Sequence, residues 1–361
     1  MSRFVRLCEI ASPSGDEAAI AAAVKSELDG FGLEVTEDDA AGPAGAGSGN
    51  LLTRIEGERP EYLFFCAHLD TVPHEGAIEV VLDDGIYRSR GETILGADNK
   101  AAVAVLLELA KRHAGSKPPV GLELLFTVAE EQGLRGAAAF DVASLKSTSG
   151  FVLDHASEIG EVIVAAPSHH RISADFQGVE AHAGIDRGTG RSAIAAASKA
   201  IAAMELGRLD EDTTANIGLI SGGTSGNVIP GRCRVSGEAR SIDPDRVVAV
   251  IAQMSDLMIE AASDLGCEVD ITTEGVFTGY RTPDDSIALR HAEAALACRG
   301  HEPRRISTGG GSDANVFMAA GLDALLLANG TFDNHTPQES VPRENLSEML
   351  EICEEIIRGA A

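Results

Sequence analysis

Tryptophan and lysine are scarce in this sequence of 361 residues, which contains no tryptophan and only 6 lysines. It also lacks a Cys-x-x-Cys pair. Its six cysteines are scattered, so we expect reduced, mostly buried thiols rather than a disulfide framework. The amino-terminal segment has no apolar signal core, and no apolar run is long enough to cross a membrane. These absences predict a cytoplasmic protein with no membrane partner.

Basic residues are also few relative to acidic residues. Lys and Arg number 29 against 56 Asp and Glu, which gives a formal net charge of -27 and a sequence pI of about 4.6. A surface of this sign repels a phosphate backbone, so the composition excludes nucleic acid as a partner. The excess of acid favours solubility and carries little information about the fold.

The order of predicted strands and helices indicates an α/β protein with an inserted second domain. Strands alternate with helices in residues 1–168 and 282–361, as in a mixed, mostly parallel sheet flanked by helices. Residues 169–281 follow the order β-α-β-β-α-β of an α+β ferredoxin-like unit. With 44% hydrophobic residues, the chain can bury a substantial core. Segment 41–49 is predicted to be a surface hairpin or flap, and the chain from His68 to about Leu95 a loop.

Acidic and histidine side chains recur at the carboxyl ends of the predicted strands, and two more lie at a helix start and in a late loop. The strand-end residues are His68, Asp70, Glu130, Glu131 and Asp154, and the other two are Asp98 and His335. Open α/β sheets bind ligands outside the carboxyl ends of their strands, so these side chains are predicted to converge on one crevice.

Each of these residues has an ordinary structural explanation when it is taken alone. Asp98 fits a helix N-cap, and Glu130 with Glu131 fits the solvent-exposed acidic start of a helix. Taken together, ionised carboxylates at the ends of buried strands repel one another unless a cation neutralises them. Histidine and carboxylate ligands suit zinc, with cobalt or manganese as substitutes. The set therefore predicts a metal site.

In series, these motifs resemble the M20 metallopeptidases, and most closely the branch of peptidase T, a tripeptide aminopeptidase. The resemblance is carried by residues 68–72, 96–102, 130–137, 154 and 335–336, and it covers essentially the whole chain. It implies a zinc-exopeptidase fold in which the inserted domain serves as a lid and dimerisation domain. It also implies a cis peptide between Asp98 and Asn99, although the group usually carries Asp where this chain has Asn99.

The resemblance implies two zinc ions per subunit. One ion would be bound by His68, Asp98 and Asp154, and the other by Asp98, Glu131 and His335, so that Asp98 bridges them. Asp70 would orient His68. Glu130 would be the general base that takes a proton from the attacking water and later passes it to the leaving amine.

Three residues of the inserted domain are also assigned by the resemblance. His182 matches a histidine that reaches the active site of the partner subunit and stabilises the oxyanion. Asn227 and Arg240 match positions that contact substrate, and residues 310–315 match a loop near it. From the sequence alone, Asn227 fits equally well a turn before Pro230, and Arg240 an exposed strand.

The predicted function is a zinc-dependent exopeptidase that hydrolyses short peptides in the manner of a tripeptidase or aminopeptidase. We expect a homodimer formed through the inserted domain. One alternative keeps the chemistry: an N-acyl or N-carbamoyl amino-acid amidohydrolase acting on N-substituted amino acids, or a carboxypeptidase. A second alternative is a metal-storing binding protein without catalysis. Glu130 argues against the second, because a binding module does not need a carboxylate beyond its ligand set.

Overall fold

The computed structural model describes residues 2–185 and 188–360, and this part of the chain forms two compact units. The first unit comprises the chain up to Ala165, Arg281–Thr308 and the chain from Ser312 onward, and the second comprises Ala166–Tyr280 and Gly309–Gly311. These divisions fall within a few residues of the predicted domain limits, except that Gly309–Gly311 groups with the second unit. The lid and dimerisation roles of the second unit stay predictions.

Strands and helices are numbered separately in chain order. The strands are β1 (Val35–Glu37), β2 (Leu51–Ile55), β3 (Tyr62–His68), β4 (Val80–Asp83), β5 (Ile86–Ser89), β6 (Gly121–Thr127), β7 (Ser149–His155), β8 (Glu161–Ala166), β9 (Ser168–Gln177), β10 (Ala181–His182), β11 (Gly207–Arg208), β12 (Thr213–Gly222), β13 (Val228–Ile229), β14 (Arg232–Ser241), β15 (Glu268–Phe277), β16 (Tyr280–Arg281), β17 (Arg304–Ser307), β18 (Asp323–Ala328) and β19 (Ser340–Pro342). The helices are α1 (Ser2–Cys8), α2 (Ala18–Gly30), α3 (Ala41–Ala44), α4 (Ala97–His113), α5 (Arg135–Ala139), α6 (Ala193–Ala203), α7 (Pro244–Asp264), α8 (Ile287–Cys298), α9 (Asp313–Ala319) and α10 (Arg343–Gly359), and a short 3-10 helix spans Val142–Ser144.

The first unit is built on a mixed sheet with strand order β1-β2-β6-β3-β7-β18-β8, and β17 pairs with β8. The central strands β6, β3, β7 and β18 run parallel to one another, whereas β2 is antiparallel to β6. Every residue of β3 and β6 is buried. Helices α4, α8 and α9 pack against the central strands, and coverage of this kind explains why the strand sequences are almost continuously apolar. The predicted α/β fold class is confirmed.

A small second sheet corrects the loop prediction for residues 69–95. Strands β4 and β5 form a hairpin, and β19 pairs with β5 from the other side. The two residues at the turn, Asp84 and Gly85, both have positive φ, at 46° and 82°. Asp-Gly between two short apolar segments is a strong hairpin signal. The sequence therefore contained this information, and the loop prediction was wrong.

The second unit contains an antiparallel sheet with strand order β11-β12-β14-β9-β15. Alternate residues of β9, such as Ile172, Ala174 and Phe176, are buried, and they share a hydrophobic core with helices α6 and α7. Strict alternation is expected for a sheet that is covered on one face. The chain order β9-α6-β12-β14-α7-β15 is the predicted β-α-β-β-α-β order of a ferredoxin-like unit.

The predicted surface hairpin at residues 41–49 is also corrected. The segment contains helix α3, and Ala40 and Ala44 at its ends are buried at 2% and 1% exposure. Two buried alanines give this segment a core contact that a flap would not have. Among the described residues, no helix is both long enough and apolar enough to span a membrane.

Candidate metal centre and active site

The topology of the first unit brings three strand ends together. β6, β3 and β7 are neighbours and run in the same direction. His68 is the last residue of β3, Asp154 is the penultimate residue of β7, and Glu130 follows the end of β6. Because the carboxyl ends of parallel strands meet at one edge of a sheet, residues far apart in sequence meet here.

Two imidazoles form the centres of the cluster. The Nε2 atom of His68 lies 3.0 Å from Asp98 Oδ1 and 3.3 Å from Asp154 Oδ1. The Nε2 atom of His335 lies 2.8 Å from Glu131 Oε1 and 3.1 Å from Asp98 Oδ2. Asp98 thus presents one oxygen to each imidazole, as a bridging carboxylate would. All five predicted ligands lie in this cluster, and Glu130 joins it, because its carboxylate groups with His68 and Asp154 within 4.8 Å.

The backbone at the start of α4 positions the shared carboxylate. Asp98 (φ -80°, ψ 106°) and Asn99 have non-helical geometry, and the peptide bond between them is cis, as the resemblance implied. Asn99 is fully buried, and its Nδ2 donates a 2.5 Å hydrogen bond to Asp154 Oδ1. An ionised Asp at this position has no proton to donate, so the departure from the usual Asp gives Asp154 a hydrogen-bond donor.

Asp70 does more than the resemblance assigned to it. The His68 Nδ1–H donates to the backbone carbonyl of Asp70 at 3.0 Å, and the Asp70 carboxylate lies 3.4 Å from the same nitrogen. Because a carbonyl only accepts, the proton of a neutral His68 sits on Nδ1 and Nε2 is left free for a ligand. The Asp70 carboxylate also accepts the backbone N–H of Glu130 at 3.0 Å and of Glu131 at 3.2 Å. It therefore fixes the predicted base and a predicted ligand together.

The pKa values show that the two imidazoles compensate only part of the negative charge of this cluster. Burial and the nearby charge of Asp154 raise the pKa of Glu130 well above its usual value. Burial also raises the pKa of Asp154 to about 7, against the lowering effect of His68. Hydrogen bonds to Asp98 and Glu131 raise the pKa of His335 to about 10. Carboxylates that hold protons for want of a counter-charge release them to a divalent cation, so these residues fit a pair of metal ions.

Sequence reasoning missed two buried carboxylates next to this cluster. Asp313, the first residue of α9, is 1% exposed, and its Oδ2 accepts the Thr127 hydroxyl at 2.5 Å. Burial raises the pKa of Asp313 to about 6. Glu339 is equally buried and lies in the same loop as His335. Asp313 lies within the segment 310–315, and Glu339 follows His335 by four positions, but the sequence gives no sign that these two carboxylates are buried.

The three predicted residues of the second unit bond to neighbours within that unit. His182 and Asn227 lie on neighbouring segments, because β10 pairs with β13 and the Ala183 N–H donates to the Asn227 carbonyl at 2.9 Å. Arg240, on β14, holds Glu238 with Nε at 3.0 Å and Nη2 at 3.3 Å, and its Nη1 donates to the Gly309 carbonyl at 3.3 Å. The segments that carry His182 and Asn227 are therefore adjacent. The side chain of Arg240 is bonded to the backbone of the glycine-rich segment 309–311. Their roles with substrate stay predictions.

Comparisons with known proteins place the chain in a family. The family model for peptidase family M20/M25/M40 matches residues 64–359. YqjE of Bacillus subtilis strain 168, an uncharacterized protein, is 36% identical over 363 residues, which cover 100% of this chain and 98% of YqjE.

Two solved structures share the whole fold. The aminopeptidase PepT of Bacillus cereus ATCC 10987 is 34% identical with a TM-score of 0.89, and a tripeptidase of Staphylococcus aureus subsp. aureus Mu50 is 33% identical with a TM-score of 0.94. Each comparison covers 99% of this chain and 96% of the other. The chain therefore belongs to peptidase family M20/M25/M40 and is a hydrolase of the metallo-exopeptidase class.

Proposed function

We propose that this chain is an aminopeptidase that uses two zinc ions per subunit to hydrolyse short peptides, with tripeptides as preferred substrates. One observation carries the proposal: Asp98 lies between two imidazoles that each face further carboxylates, while Glu130 lies beside them as an additional buried acid. The names of the B. cereus and S. aureus proteins support the choice of aminopeptidase and of tripeptides.

In the first unit, five residues would bind the metal ions and a sixth, Glu130, would transfer the proton. His68, Asp98 and Asp154 would hold one ion, and Asp98, Glu131 and His335 the other. When bound, zinc ions supply Lewis-acid polarisation of the scissile carbonyl and acidify water. Glu130 then receives the water proton and delivers it to the leaving amine. Burial raises the pKa of Glu130 in the metal-free protein, and two cations bound nearby would favour the ionised form, which is the form that accepts a proton.

The second unit offers support for the proposed homodimer. Strand β12 pairs with β14 on one side, but on the other it pairs with the two-residue β11 only at Thr214 and Ala215. Within the described residues, its later part has no strand on that side, and Leu219 and Ile220 are 71% and 50% exposed. An open edge with apolar side chains is a template for a strand from a second copy. His182 would then serve the active site of the partner subunit.

We also propose that the enzyme works in the cytoplasm. All six cysteines are free thiols, and five of them are buried. Reduced cysteines are typical of a reducing compartment.

An activity panel on the zinc-loaded protein tests the proposed substrate. It would contain dipeptides and tripeptides with free or blocked amino termini, together with N-acyl and N-carbamoyl amino acids. We expect cleavage that requires a free amino terminus and is fastest for tripeptides. Activity only on the blocked or carbamoylated compounds would contradict the aminopeptidase proposal. The same metal site and base would then belong to an amidohydrolase or carboxypeptidase.

A further inference from the structure

Glu339 is a buried carboxylate whose two oxygens are fully engaged by backbone amides. Oε2 accepts the N–H of Leu95 and the N–H of Gly96, each at 2.8 Å. Oε1 accepts the N–H of Asp98, also at 2.8 Å. The side chain is 1% exposed. Three bonds of this length, all from backbone amides, fix both the carboxylate and the backbone that it binds.

These bonds join two segments that are far apart in sequence. The amides belong to the turn that leads into Asp98, whereas Glu339 belongs to the loop that carries His335. That loop is closed at its base by a pair of backbone hydrogen bonds between Phe332 and Ser340, at 2.9 and 3.0 Å. Glu339 lies directly before the closing pair. It is therefore placed to set the distance between the Asp98 backbone and the His335 loop.

The His335 loop needs such support. His335 and Asp333 have φ values of 66° and 55°, in the left-handed region that non-glycine residues rarely adopt. The His335 side chain is 48% exposed, whereas that of His68 is 2% exposed and belongs to a buried strand. The sheet holds the first imidazole in place, but the second depends on its loop.

We propose that Glu339 is a positioning residue that couples the Asp98 turn to the His335 loop and thereby builds the second of the two metal sites. This inference rests on the proposed two-metal function. Loss of the Glu339 carboxylate should weaken the site of Asp98, Glu131 and His335 and leave the site of His68, Asp98 and Asp154 nearly intact. Asp98 belongs to both sites. The first site should nevertheless persist, because its other two ligands, His68 and Asp154, lie on strands of the sheet and do not depend on Glu339.

The substitution Glu339→Gln makes the sharpest test. It preserves the size of the side chain but replaces one acceptor oxygen with an NH2 group, which would face the N–H donors of Leu95 and Gly96 or of Asp98. Two matched controls are available. Gln338→Ala changes an exposed side chain in the same loop. Glu123→Gln changes another fully buried glutamate, which accepts the backbone N–H of Ser147 at 2.9 Å and lies near the start of β6, away from the strand end.

The first measurement is zinc binding by equilibrium dialysis with elemental analysis. We expect the wild type and both controls to bind two ions. Glu339→Gln should bind the first with wild-type affinity and the second about 10- to 100-fold more weakly, the range typical of residues that support metal ligands. Its activity at limiting zinc should be low and should recover with excess zinc. Wild-type affinity for both ions, or equal loss of both, would overturn the inference alone. A wild-type protein that binds no ion would overturn the proposed function as well.

A second measurement uses the unaltered protein and so does not depend on how the variant folds. Hydrogen exchange is followed by mass spectrometry in peptides that cover the Leu95–Asp98 turn, before and after removal of metal. If Glu339 holds these amides by itself, they should exchange slowly in both states. Rapid exchange in the metal-free protein would show that the metal, rather than Glu339, orders the turn, and would overturn the inference.

Discussion

Asp70 of the first unit and the pair His182 and Asn227 of the second unit differ in what holds their side chains in place. In the first unit, Asp70 is completely buried and bonds the backbone of Glu130 and Glu131, which lie about 60 positions away in sequence. In the second unit, the exposed side chains of His182 and Asn227 bond Gly184 and Ser225, each only two positions away. Long-range bonds make a rigid site, whereas local bonds leave a side chain free to move with its segment. We therefore expect changes in the first unit to affect metal and chemistry, and changes in the second to affect substrate and partner.

The largest effect is expected for Asp98→Ala, which removes the one carboxylate that faces both imidazoles. Without it, each imidazole loses one of its neighbouring acids, so both ions should be released and turnover should disappear. Elemental analysis after dialysis checks the metal content. A variant that keeps two ions would show that Asp98 is not shared, and a circular dichroism spectrum like that of the wild type would exclude unfolding as the cause.

Glu130→Ala should come next and should separate metal from chemistry. The two ligand groups around His68 and His335 remain complete, so both ions should stay bound. The rate constant kcat should fall by about 10²- to 10⁴-fold, because the base is lost. Steady-state kinetics on the preferred peptide and elemental analysis of the same sample measure both. Retained activity would remove Glu130 from the role of base.

His182→Ala tests the second unit, and its effect should be smaller and confined to catalysis. Metal content should not change, and kcat should fall by about 10²-fold, as for loss of one oxyanion donor. Mixing this variant with Glu130→Ala should restore activity, because one active site of the mixed dimer would combine an intact Glu130 with the partner's intact histidine. If subunit exchange is demonstrated and no activity returns, the cross-subunit role is wrong.

The smallest effect is the pH dependence of stability in the metal-free protein. Burial raises the pKa of Asp154 to about 7, so between about pH 4 and pH 7 the folded state binds a proton that the unfolded state has lost. Stability therefore falls as the pH rises through this window. The pKa of His335, raised to about 10, adds stability that is complete below about pH 6.5 and lost as the pH rises toward 10.

Thermal unfolding after chelation, at about pH 6 and about pH 8.5, measures this dependence. We expect a lower Tm at the higher pH, and a larger rise in Tm on adding zinc there, because metal binding requires deprotonated ligands. In Asp154→Asn the dependence of Tm on pH should be weaker, since one of the shifted groups is gone. A metal-free Tm that stays constant or rises with pH would contradict the assignment of these shifts.

Much of the first unit could be predicted from the sequence because its signals are local. The apolar sequences of β3 and β6 reflect burial on both faces, and a polar residue at each strand end stands out against them. The hairpin of β4 and β5 was missed although its Asp84-Gly85 turn was present, because each of its strands has only 4 residues. Helix α3 was missed because two of its four residues, Gly42 and Pro43, have the lowest helix propensities.

The sequence by itself determined the family, the α/β order of elements and the candidate ligands, since each depends on residue type and spacing along the chain. Only the tertiary structure decided how these ligands are held. Asp70 binds the amides of Glu130 and Glu131, and Glu339 binds the amides before Asp98. The donors in these bonds are backbone N–H groups, which every residue except proline possesses. A side chain that binds backbone therefore leaves no pattern in the partner's sequence, and its role becomes visible only when the chain is folded.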